Sequence, residues 1–351
     1  MVLRFAFEDA QKAHPASGWV RAGWTERGMS TITAPHRVQT EWHRPLLANA
    51  AFMFTVALLS VGGLLFDDRH LVGEPVWLKP LKFGFAMGVH ALVLAWLLGK
   101  LRRGRRIGWW LGTVFAFAGV LDVAAVAYAA ANGTFSHFND NTDPVARTVQ
   151  ALFSVGIMPL LLTTFFVAIL LLVQRVGDRA LTRALRVGLG LALASMVVAL
   201  WLSGSGQTSR VVADANGHQV SLIGAHGIGD PDGNGMPVTR WSTTGGDLRV
   251  PHFVGMHAIQ GLLLLTGALA TLSARRPRLR DERTRADLVG AAAVGVTGVF
   301  VVCSWQASRG QSVLHPDLAT LTALAAVAAV TLAAVTAALL RARLRPLPTP
   351  S

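Results

Sequence analysis

The chain has 351 residues, 52% of them hydrophobic and 15% charged, with a mean hydropathy of +0.46 and a formal net charge of +13. Its apolar residues gather in runs of about twenty, enough to cross ~30 Å of hydrocarbon, which excludes a soluble globular domain and predicts a polytopic membrane protein. The basic residues sit in short segments between those runs, so the charge speaks for membrane topology rather than nucleic acid, and the single cysteine, Cys303, excludes an intrachain disulfide or a multi-cysteine metal site.

Residues 1–45 contain Trp19, Trp24 and Trp42 but no apolar run, hence neither a signal peptide nor a span. They read as a cytoplasmic N-terminal segment. Met29 is a second natural start, so 1–28 reads as a disordered arm or as sequence ahead of the true start. The first two spans are 46–66 and 81–99, the second with Gly84 and Gly88 at the spacing that lets a neighbouring backbone approach. Trp77 and Lys79, between them, read as interfacial anchors. A basic turn leads to the third span, 107–131. After the polar loop 132–148 comes the fourth, 149–173, with Pro159 inside it. The fifth, 187–203, opens into the long Gly-, Asp- and Asn-rich loop 204–252. The sixth, seventh and eighth spans are 253–274, 286–306 and 318–340, and a basic tail, 341–351, closes the chain.

The predicted fold is therefore an all-α transmembrane bundle of eight spans, one membrane domain over 46–340. About three quarters of the 32 Lys and Arg residues fall on the side shared by the two termini. That asymmetry predicts both termini in the cytoplasm of a bacterial plasma membrane and the long loop on the extracytoplasmic face. No internal repeat is evident by eye.

Ionisable groups within spans are costly, so they mark sites or need partners. His90 and Asp122 both fall roughly 13 Å below the outer surface at 1.5 Å per residue, on neighbouring helices. A hydrogen bond between them is the leading expectation. His257 and Gln260, roughly 6 and 10 Å deep, share a helix face and complete a polar intramembrane set. A bis-histidine haem b would need His90 and His257 at similar depth, and they miss by about 7 Å.

Outside the membrane, Asp230-Pro-Asp232-Gly-Asn234-Gly235 matches the opening of an EF-hand calcium loop, but Trp241 stands where the bidentate glutamate belongs. His226 and His252, with His137, His70 and His315, fall on the outer side and offer imidazoles to zinc or copper without a metal-binding spacing. Arg249 is expected to pair with Asp247 or with a lipid phosphate.

Two stretches also carry a resemblance. Val76-Trp-Leu-Lys-Pro-Leu-Lys-Phe83 and Asp247-Leu-Arg-Val-Pro-His-Phe-Val-Gly-Met-His-Ala-Ile-Gln260 resemble segments of bacterial multi-pass membrane proteins, and the Ala, Arg and Gly bias is similar to that of actinobacterial chains. The resemblance implies no activity. Three functions stay open at this point: a site for a small solute, ion or proton reached from outside, a haem- or metal-dependent membrane oxidoreductase, and a non-catalytic scaffold that binds partners within the lipid bilayer.

Overall fold

In a computed structural model, eight helices are each long and apolar enough to cross a membrane. The structure describes residues 42–204, 209–232 and 234–345. The expectations for residues 1–28 and for the end of the basic tail lie outside them. In chain order the helices are α1 (Arg44–Phe66), α2 (Leu78–Leu98), α3 (Arg105–Ala131), α4 (Pro144–Leu172), α5 (Arg179–Gly204), α6 (Arg249–Leu272), α7 (Glu282–Ser308) and α8 (Leu318–Leu344). All eight expected spans are present in an all-helical membrane bundle.

Several helices begin earlier or end later than the apolar runs, because their polar ends are capped rather than melted. Asp143 accepts from the backbone N–H groups of Val145 and Ala146 and starts α4 with Pro144 in its first turn. Asp281 and Asp317 do the same for α7 and α8, satisfying N–H groups that have no partner inside the helix. At the start of α1 the cap is His43, whose Nε2 also lies 2.9 Å from the Trp109 carbonyl on α3. Pro159 lies inside α4 without ending it.

Each helix packs most extensively against its sequence neighbour within the pairs α1/α2, α3/α4, α5/α6 and α7/α8. In the first four helices α3 also packs against α1 and α2; in the last four α7 packs against α5 and α6 in the same way. The second half thus repeats the packing scheme of the first. The two halves meet through α4 and α5 and through a shared apolar core that runs from Leu46, Leu94 and Phe115 to Leu189, Ile259 and Leu263. Burial ranks the helices: 56% of the apolar window of α3 is buried but only 6% of that of α8, so α3 is central and α8 faces lipid.

Small residues set the closest approaches. A Cβ on Gly84 would stand 2.6 Å from the Met53 carbonyl oxygen of α1, and one on Gly88 would strike the Phe54 ring, as the glycine spacing predicts.

The long loop between α5 and α6 is a folded cap. Among the described residues, β1 (His70–Leu71) pairs with β2 (Glu74–Pro75) in the α1–α2 connection, and in the cap β3 (Ser209–Ala213) pairs with β4 (Gln219–Ile223) and β5 (Gly227–Ile228) with β6 (Gly246–Asp247), all antiparallel. Gly217, at φ +81°, takes the left-handed position in the connection 214–218 of the β3/β4 hairpin. The cap is tied to the neighbouring connections on all sides. Asp140 N–H donates to the Ser221 carbonyl at 2.9 Å, Arg240 to the Val72 carbonyl at 3.1 Å, and Ser312 Oγ to the Ser242 carbonyl at 2.8 Å.

Candidate functional site under the cap

Helices α2 and α6 begin beneath the cap, and both begin against the usual electrostatic rule. A helix N-terminus carries roughly half a positive charge and favours acidic residues, yet neither first turn holds one. Instead Lys79 and Lys82 open α2, and Arg249 opens α6. Pro80 and Pro251 are tolerated because a first-turn residue has no N–H partner to lose. Two helix ends and three cationic side chains therefore add their positive potential at one end of the bundle.

Two of the cations are neutralised. Lys82 Nζ donates to Glu74 Oε1 at 2.7 Å, and Arg249 Nη2 to Asp247 Oδ2 at 2.6 Å, the pairing expected of that arginine. Asp247, only 3% exposed, also accepts from the Ser242 N–H at 2.8 Å, so the pair locks the cap to the start of α6. Lys79 is different. It is half-buried, and its Nζ donates to His137 Nδ1 at 3.0 Å. Among the described residues its ammonium forms no ion pair.

His137 comes from the loop between α3 and α4. Its ring packs on Phe83 and Phe153, and Ser136 Oγ stands 3.0 Å from the same Nδ1. The His226 ring, from the cap, lies with its centroid 6.3 Å from that of His137 and packs edge-on to Phe138. His226 Nδ1 is buried without a hydrogen-bond partner. Burial first, and the neighbouring Lys79 charge second, hold the pKa of His137 well below the usual histidine value. For His226 burial is again the largest cause, followed by the charges of Arg249 and Lys79. Both imidazoles are therefore neutral at pH 7, which leaves His137 Nδ1 free to accept from Lys79.

Three further imidazoles lie on the two helices that begin beneath the cap, His252 and His257 on α6 and His90 on α2. His252 Nδ1 lies 2.8 Å from the Ser195 carbonyl oxygen of α5.

The expected His90 to Asp122 hydrogen bond does not form. The His90 ring instead lies against Phe115 of α3, with centroids 5.5 Å apart. Asp122 is 7% exposed, with no hydrogen bond to its carboxylate among the described residues, and the charge it feels is that of Lys79. His257 packs against Phe253 of its own helix. The Gln260 amide, with its nitrogen turned to the carbonyls of Met256 and His257 at 3.1 Å each, is spent on its own helix.

In the cap, Asp232 pairs with Arg210 at 2.6 Å and Asp230 Oδ2 accepts from Thr244 Oγ1 at 2.6 Å. The Asn234 backbone carbonyl accepts from Thr243. One carboxylate oxygen of each aspartate expected from sequence to ligate calcium is thus engaged by a protein donor. Among the described residues no three His, Cys, Asp or Glu side chains gather as a metal site. His70 is turned to the Asp68 carbonyl instead of joining the other imidazoles.

Sequence reasoning passed over Lys79 as a site residue and read His137 only as one outward histidine among five. It also passed over a likeness between the two helices that supply the site. Lys79-Pro-Leu-Lys-Phe83 corresponds to Arg249-Val-Pro-His-Phe253, and Gly88-Val-His-Ala91 to Gly255-Met-His-Ala258, with three residues more between the two motifs in α2. These are the second helices of the two halves. Comparison with models of known protein families, with curated proteins and with solved structures finds no match to this chain, so its geometry alone carries the functional reading.

Proposed function

We propose that this multi-pass membrane protein binds a small solute carrying an anionic group under its outer cap, with the site's histidines taking up a proton as the solute enters. The observation that carries the reading is Lys79: a half-buried ammonium with no carboxylate on it among the described residues, at the N-terminus of a helix, bonded to the neutral His137 imidazole, beside which His226 holds an unpartnered ring nitrogen. A buried charge without a counter-ion is costly, and an anion supplied from outside relieves that cost. Asp122, the nearest uncommitted carboxylate, and His90 and His257 extend the site inward and offer acceptors for the solute's donors or for the proton. The recurrence of the packing scheme supports the same reading, because membrane carriers built from repeats place their sites where the repeats meet.

The basic ends of the helices favour a cytoplasmic location for both termini in a bacterial plasma membrane, with the cap extracytoplasmic. A cysteine placed at His218 is then labelled from outside cells and one at Gly104 is not; the reverse pattern sinks that orientation. The binding reading is tested by thermal-shift measurements on purified protein with small carboxylates, phosphates, amines and neutral sugars. Anions are expected to raise Tm in proportion to the logarithm of their concentration above Kd. Stabilisation by amines or sugars alone would overturn it.

A further inference from the structure

At the opposite, basic end of the bundle, the structure carries a second site that does not rest on the reading above. Helices α7 and α8 touch closely in their middle: a Cβ on Gly298 would stand 2.7 Å from Val327, and one on Gly295 3.0 Å from Thr331. The gap between them and α5 is a groove of about 810 Å³, walled by Val187 on α5, Ala293 and Thr297 on α7, and Ala334 and Ala338 on α8. The nearest atoms that a Cβ on Gly290 would meet belong to Arg183, the first at 2.8 Å, so the missing side chain lets this arginine lie across α7 and donate to the Ala286 carbonyl at 2.6 Å.

Beside the groove lies a polar hollow of about 250 Å³ lined by Arg179, Arg183, Arg283, Arg345 and Asp287. Arg183 and Asp287 line both, so the two spaces adjoin. Arg345 is held by Asp287 at 2.8 Å and Asp281 at 3.1 Å, which fastens the end of α8 and closes the floor. The guanidinium groups of Arg283, in the hollow, and of Arg341, in the groove, have no hydrogen bond or ion pair among the described residues. Cationic surplus and a chain-wide apolar groove beside it match one kind of occupant.

We propose that this groove binds an anionic phospholipid of the leaflet that the basic end faces, its phosphate on Arg183, Arg283 and Arg341 and one acyl chain between α7 and α8. Guanidinium groups bind phosphate oxygens in paired hydrogen bonds, and basic pockets between membrane helices select anionic headgroups. The apolar walls give the lipid an advantage over free phosphate, since each buried methylene adds to its affinity.

The test is native mass spectrometry of the delipidated full-length protein with equal amounts of phosphatidylglycerol and phosphatidylcholine of the same acyl chains. Wild-type protein is expected to retain phosphatidylglycerol at least about fivefold better. The double variant Arg283→Gln/Arg341→Gln should bring that preference close to one, while Ala334→Phe, which fills the groove, should lower retention of both lipids. Equal retention of the two lipids by wild-type protein, or an unchanged preference in the double variant, overturns the proposal. Displacement of phosphatidylglycerol by millimolar inorganic phosphate would assign the arginines to free phosphate and overturn it too. Should the double variant not fold, Ala334→Phe decides alone, and undiminished phosphatidylglycerol retention refutes the site.

Discussion

Lys79→Met is expected to abolish anion binding, by about a hundredfold or more, while leaving the protein folded, whereas His137→Leu is expected to destabilise it. The asymmetry follows from what each change strands. Without Lys79, His137 Nδ1 still has the Ser136 hydroxyl at 3.0 Å, and a poorly compensated charge has been removed. Without the imidazole, the Lys79 ammonium loses its hydrogen-bond acceptor, a loss of about 1.5–3 kcal/mol for a bond to a charged group. Thermal unfolding and anion titration of the two variants side by side separate the effects. If Lys79→Met binds anions as the wild type does, Lys79 is a structural residue and the site lies elsewhere.

The second large effect belongs to packing beneath the site. A Cβ on Gly255 would stand 2.7 Å from Ser195 Cβ, 2.8 Å from the Phe300 ring and 2.9 Å from the Leu191 carbonyl oxygen. A backbone carbonyl cannot swing aside, so Gly255→Val must push α6 away from both α5 and α7. Overpacking of this kind costs about 1–3 kcal/mol, and the displaced helix carries Arg249, His252 and His257 with it. Gly261, on the same helix, has no atom within 4 Å of its Cβ position. Gly261→Ala is therefore expected to be neutral or stabilising by up to about 1 kcal/mol, since alanine is the better helix former. Equal losses of Tm in the two variants would show that α6 is not seated through Gly255.

The spans were legible because hydrocarbon thickness dictates their length, and a run such as 318–340 has no other stable solution in a bilayer. Helix ends were less so. The basic connector before Val187 and the arginines after Leu340 read as loop by hydropathy, yet they continue α5 and α8, because arginine is a good helix former and its long stem keeps the charge at the interface. The cap was read as turns. Its β3/β4 hairpin had a usable signal in Asn216-Gly217 between alternating strands. The His226 contact with His137 had none, since it is fixed by how the cap settles on the α3/α4 loop. The His90 to Asp122 expectation failed for a related reason: equal depth on adjacent helices does not fix which way each face turns. The likeness of α2 and α6 was in the sequence throughout, masked by the three extra residues that separate the two halves of the motif in α2.

The measurement that tests the binding account most directly is the number of protons taken up when an anion binds. Titration calorimetry in buffers of different ionisation enthalpy provides it. In the empty site His226 and His137 stay neutral, their pKa values held below 6.5 by burial and by nearby cations. A bound anion favours the charged imidazolium and raises those pKa values, so binding draws in protons wherever the pH lies between the empty and the occupied value. Uptake should therefore be small at pH 7.5, grow as the pH falls to 6, and shrink in His226→Gln. Anion binding with no proton uptake across that range, in wild-type protein with its cap intact, would contradict the account.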